Sequence, residues 1–153
     1  MVALAGSREA VESPAPPDKA GRILGLATAG LLVLDGVGGS LAVASGWNTP
    51  AEAWGGRAVA AAPGPVMAAQ AALAAAAVRW PGRRGGAASG LLAAVCLLSA
   101  VSGFFDGQLG KRGLPRHILG VQLLLVGTTS GVGALAVIRA RRLLTTGGAG
   151  GPR

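Results

Sequence analysis

Apolar residues fall in four long runs, and polar residues collect between them. The runs cover 23–45, 58–78, 87–105 and 118–138, which makes them 23, 21, 19 and 21 residues long. A helix needs roughly 20 apolar residues to cross a hydrocarbon core of about 30 Å, so each run has the length of a span. Lipid offers the backbone no hydrogen bonds, which favours helices, and the alternating segments of a membrane barrel are not found here. The pattern predicts an all-α polytopic membrane protein, a four-transmembrane-helix bundle over 23–142. Residues 1–22, with Pro14, Pro16 and Pro17, read as a disordered cytoplasmic tail. They are too long and too acidic for the leading region of a signal peptide. Residues 143–153 read as a flexible, glycine-rich cytoplasmic tail.

The second run is the least regular. Twelve of its 21 residues are alanine, and Pro63-Gly64-Pro65 sits in its first third. Proline removes a backbone donor, so a kink is expected near the outer end of that span. Charge placement argues for keeping it as a crossing. With four spans and both termini cytoplasmic, ten Lys and Arg lie inside and four outside. Dropping the second span leaves eight against six, which is hardly a bias. The positive-inside rule therefore supports four spans, with Arg83-Arg84 inside and Trp47–Trp54 outside. All five aromatic residues (Trp47, Trp54, Trp80, Phe104 and Phe105) lie at predicted span ends, as headgroup-level rings should.

Composition agrees with lipid and narrows the chemistry. Of 153 residues, 51% are apolar and 13% charged, and the mean hydropathy is +0.54. A water-soluble domain carries about a quarter charged residues. The single cysteine, Cys96, excludes an internal disulfide and a cysteine zinc cage, and the single histidine, His117, excludes bis-histidine haem ligation. No cofactor is expected. The net charge of +8 sits in clusters beside the spans with no aromatic-interleaved patch, so anionic lipid explains it and nucleic acid is not expected as a partner. The expected partners are the lipid bilayer and, beyond it, a second copy or another membrane protein. Twelve arginines against two lysines, with abundant Ala and Gly, suggest a GC-rich bacterial genome and hence the bacterial cytoplasmic membrane.

Asp35 is the main candidate for chemistry. It is the thirteenth residue of the first run, where an aspartate costs roughly 2.5–3.5 kcal/mol to insert. No Lys, Arg or His lies within any run, so its expected partners, by depth, are Gln70 and Thr128, Thr129 and Ser130. This set is a candidate intramembrane proton or ion site, or else a helix-packing hydrogen bond, in which case Asp35→Leu should be neutral or better. Gly36, Ser40 and Ala44 recur every four residues and predict a face for close helix approach. Asp106 and His117 form a second candidate, a polar site at the outer mouth. Leu34-Asp35-Gly36 and Phe105-Asp106-Gly107 both open D-G-x-x-G, and Leu26–Gly39 matches Leu97–Gly110 at five of fourteen positions, which suggests a duplicated hairpin.

Asp106-Gly107, Gly110, Lys111 and Gly120 also fall at spacings similar to the metal-binding signature of the membrane CDP-alcohol phosphotransferases. Leu124 and Thr128 stand where that signature needs its other aspartates, so the metal chemistry is lost. Four short spans with an acid in the first resemble the general plan of small multidrug transporters, but no aromatic residue lies near Asp35. No convergent set of reactive side chains marks an enzyme. The expectation is a non-enzymatic protein with a structural, accessory or regulatory role. The alternative is a small proton- or cation-coupled transporter using Asp35.

Overall fold

A computed structural model describes residues 18–105 and 113–146. Among them there is helix and no strand: α1 (Lys19–Ala44), α2 (Pro50–Ala53), α3 (Gly64–Arg79), α4 (Gly82–Phe105) and α5 (Arg116–Thr146). At 1.5 Å per residue, α1, α4 and α5 reach about 39, 36 and 46 Å. These three are long and apolar enough to cross a membrane. α3, with 16 residues, reaches only about 24 Å.

The shortness of α3 has a covalent cause. The second run was expected to be one kinked helix over 58–78, but residues 58–63 are not helical. Proline restricts the residue before it to extended backbone, and Pro63 and Pro65 follow one another at a single residue's distance. Pro63 is extended (φ −55°, ψ 140°) and serves as the N-cap, with Pro65 in the first turn, where a missing N–H does no harm. The other ends move outward from the apolar runs. Asp18 accepts from Gly21 N–H at 3.1 Å and starts α1 four residues inside the stretch read as tail. α4 begins at Gly82, and α5 continues to Thr146.

Four helices pack in a ring whose neighbours are α1 with α3, α3 with α4, α4 with α5, and α5 with α1. Small residues set the spacing. Ala88, Ser89, Ala93, Cys96 and Ala100 form the buried face of α4, and they meet Ala74 and Ala77 of α3 and Gly133, Ala136 and Ala140 of α5. A methyl group on Gly133 would lie 3.2 Å from Leu97 and 3.4 Å from the Cys96 Cβ. In helices apolar enough to sit in lipid, such close approach is what holds neighbours together. Large apolar side chains lie on both sides: Leu24, Leu31, Leu92 and Ile118 are fully buried, whereas Leu26, Val33, Leu98, Phe105 and Leu123 are all more than half exposed.

The predicted small-residue face of α1 is on the wrong side. Ser40 and Ala44 are exposed, and nothing lies within 4 Å of a Cβ at Gly36. Gly38, Gly39 and Ala42 make the close contacts instead. A Cβ on Gly38 would overlap the Ala60 carbonyl oxygen, and one on Gly39 would meet the Trp54 indole at 3.1 Å. Steps of four find small residues on any face of a glycine-rich helix, and only packing shows which face is used.

Candidate functional site

The non-helical stretch between α2 and α3 is the centre of the site. Irregular backbone packed among helices survives only where protein satisfies its polar groups. Three buried side chains do so here. Asp35 Oδ1 accepts from Ala62 N–H at 2.7 Å. Asn48 Oδ1 accepts from Val59 N–H at 2.9 Å, while its Nδ2 donates to the Arg57 carbonyl at 3.1 Å. Gln122 Nε2, from α5, donates to the Val59 carbonyl at 2.8 Å. Gly64 N–H closes the segment by donating to the Trp54 carbonyl at 2.8 Å. α2 anchors the other side through a capping box: Thr49 Oγ1 accepts from Glu52 N–H, and the Glu52 carboxylate accepts from Thr49 N–H at 2.9 Å.

The shortened α3 also leaves a gap. Beside it the C-terminal half of α4 loses the neighbour that a full-length helix would supply, and a cleft of about 510 Å³ opens there. Its floor is the 55–63 segment, and its walls come from Val95, Leu98 and Gly103 of α4 and Leu125 and Val126 of α5. Asp35, Gln122 and Thr129, with Ser99 and Ser102, give it polar points. Asp35 is 3% exposed.

The expected partners of Asp35 are dispersed. Gln70 is buried against α4, its Nε2 donating to Cys96 Sγ at 3.8 Å, and its Oε1 has no partner among the described residues. Thr128 and Ser130 donate to their own helix, at the Leu124 and Val126 carbonyls. Thr129 alone of that set shares the cleft with Asp35. His117 lies in the first turn of α5, exposed. Asp106 lies outside the described residues, as do 107–110, which with it make the last five of the fourteen positions on which the hairpin duplication rests. Asp35 itself sits well inside α1 rather than at its end.

Sequence reasoning missed the backbone partner because a main-chain N–H has no letter in a sequence. The one available signal was Pro-Gly-Pro itself, which frees backbone donors that some side chain must then accept.

It also missed a second buried polar centre at the opposite end of the ring. Arg139, read as a lipid-facing cation, is 4% exposed. Its Nη1 donates to the Ala77 carbonyl at 2.7 Å and to Ser89 Oγ at 3.0 Å. Its Nη2 donates to Asp18 Oδ1 at 2.8 Å. One guanidinium thus ties the start of α1 and the end of α3 to α4 and α5. The hydrogen bond from Arg139 holds the Asp18 carboxyl below its ordinary value, against the opposing effect of partial desolvation. Among the described residues no group of three His, Cys, Asp or Glu converges as metal ligands would. Neither a known protein-family model, nor a curated protein, nor a solved structure matches this chain.

Proposed function

We propose that this chain is a small, non-enzymatic integral protein of the bacterial cytoplasmic membrane with a structural, accessory or regulatory role. In this reading it crosses the bilayer four times, with both termini cytoplasmic, as a four-helix transmembrane bundle. The second crossing is discontinuous: α3 covers about 24 Å, and the stretch before it completes the passage. Three apolar helices of spanning length and the ten-to-four distribution of cations support it. Its surroundings would be lipid, with a second copy or another membrane protein against the exposed helix faces, and no nucleic acid.

One observation carries the role. The buried polar side chains around the break are spent on this chain's own backbone. Asp35, Asn48 and Gln122 hold the 57–62 segment, and Arg139 holds the far end. Such groups stabilise a shape.

A second reading has its own support. Asp35 faces a cleft, which is where a small proton- or cation-coupled transporter would place its coupling carboxylate. Asp35→Asn separates the two, because asparagine can still accept from Ala62 N–H but cannot exchange a proton. The structural reading predicts an inserted, folded Asn variant in which reconstituted vesicles show no loss of pH-dependent flux relative to the parent. A folded Asn variant that loses such flux overturns it in favour of transport.

A further inference from the structure

The end of the ring where α4 begins and α5 finishes carries a charge pattern that the fold itself does not use. Arg83 and Arg84 open α4, Arg141 and Arg142 stand near the end of α5, and all four are exposed. None of their side chains makes a hydrogen bond or ion pair among the described residues. The two helices contain no Asp or Glu over 82–105 and 116–146. The acid described at this end is Asp18, and the buried Arg139 already takes it. A helix start is the positive end of the backbone dipole, so Arg83 and Arg84 lie where a carboxylate is favoured, with no acid in the first turn to offset them. Cations so placed are unfavourable in the bare protein and become favourable once an anion sits on them.

Packing brings the two pairs to one place. At Gly86 a Cβ would lie 3.1 Å from Leu144 Cγ and 3.3 Å from Leu143 Cβ. Each of the four arginines lies within three residues of that contact, about 4.5 Å of helix rise or less. The surroundings are amphipathic: Leu144 is 46% exposed, and the exposed Trp80 stands just before α4. Guanidinium groups beside exposed leucine and indole suit a molecule that is anionic at one end and hydrocarbon at the other, whereas a nucleic acid would use the charge alone. Guanidinium takes phosphate oxygens in a fork, and two pairs provide for two phosphates; a headgroup with one would leave a pair unmatched. We propose that the seam between the start of α4 and the end of α5 is a binding site for a phospholipid with two phosphates, of the diphosphatidylglycerol class, held by Arg83, Arg84, Arg141 and Arg142. The proposal rests on the membrane placement above and is independent of Asp35 and of transport.

The test uses the full chain in dodecylmaltoside micelles, titrated with tetraoleoyl diphosphatidylglycerol or, at equal total phosphate, dioleoylphosphatidylglycerol, with bound lipid counted by native mass spectrometry. The expected result is one diphosphatidyl lipid per chain, bound at least tenfold tighter than the single-phosphate lipid. Arg83→Gln with Arg84→Gln, and Arg141→Gln with Arg142→Gln, should each weaken it at least tenfold. Lys19→Gln with Arg79→Gln removes the same charge from exposed positions on the α1–α3 side of this end and should change it less than threefold. Exposed glutamines should leave the melting temperature unchanged, and lysine at all four positions, which keeps the charge but not the fork, should weaken binding several-fold. Equal affinity for the two lipids overturns the two-phosphate site, and an equal loss in the variant at Lys19 and Arg79 overturns it in favour of a diffuse surface field. Displacement of the lipid by equimolar inorganic pyrophosphate overturns the lipid as the source of the phosphates. Retention in native membranes through an alkaline wash tests the placement separately. A chain that washes off refutes the placement and this site with it, whereas a retained chain that binds neither lipid refutes the site alone.

Discussion

Replacing Asp35 by leucine should destabilise the folded protein, contrary to what its cost in lipid suggests. An aspartate at mid-span carries an insertion penalty of roughly 2.5–3.5 kcal/mol, which leucine removes. That penalty is carried equally by the separated, inserted helices, so removing it does not favour the packed state over the unpacked one. The packed state loses the acceptor, at 2.7 Å, for Ala62 N–H. A buried donor left without a partner costs about 1–3 kcal/mol, and Pro63 next in sequence prevents the segment from becoming helix to repair the loss. Leucine should therefore lower unfolding free energy by about 1–3 kcal/mol. Asparagine, which keeps the acceptor, should stay within about 1 kcal/mol of the parent, the typical net worth of one hydrogen bond. Titration of SDS into the micelle-bound protein measures this, with tryptophan fluorescence as readout, because Trp54 packs on Gly39 beside the segment. Leucine as stable as the parent, or asparagine as damaging as leucine, would refute the assignment of Asp35 as a backbone acceptor.

Other perturbations follow from the same contacts. Gly38→Ala places a methyl on the Ala60 carbonyl and should cost about 1–3 kcal/mol, as overpacking does, while Gly36→Ala, facing open space, should be neutral or slightly stabilising in the same SDS titration. The Asp18 carboxyl titrates below its ordinary 3.8 in the folded state, so its bridge to Arg139 contributes fully above that pH and is lost as pH falls through the lowered value. Asp18 is half exposed, so Asp18→Asn should cost only about 1 kcal/mol at neutral pH, and thermal melts in detergent should show the difference shrinking as pH falls below 3.8.

Helix class and the approximate positions of three long helices were legible in the hydropathy pattern because lipid leaves a chain few options. The ends were not, since they depend on caps and on packing beyond the apolar runs: Asp18 extends α1 by a turn, and Arg139 is buried although it looks like a lipid-facing charge. Asp35 was legible as a polar residue that needs a partner. Its partner was not, because the candidates read from the sequence were side chains and the actual one is the Ala62 N–H, released by Pro63-Gly64-Pro65 twenty-seven residues on. The insertion cost of an aspartate and small-residue spacing describe isolated helices. The face that Gly38 and Gly39 present became visible only with Ala60 and Trp54 in place.

The account depends most on whether the chain crosses the membrane between α1 and α4 despite the shortness of α3. Single cysteines in a Cys96→Ala background answer this, with Thr49 exposed between α1 and α2 and Arg83 exposed at the start of α4. Arg83 is the better reporter than the buried Gly85, where any Cβ would overlap the Trp80 carbonyl. A membrane-impermeant maleimide should label Thr49→Cys in intact cells and reach Arg83→Cys only after the membrane is opened. Labelling of both from the same side would mean that α3 does not cross, and labelling of Arg83→Cys with Thr49→Cys protected would mean that the chain is inserted the other way round.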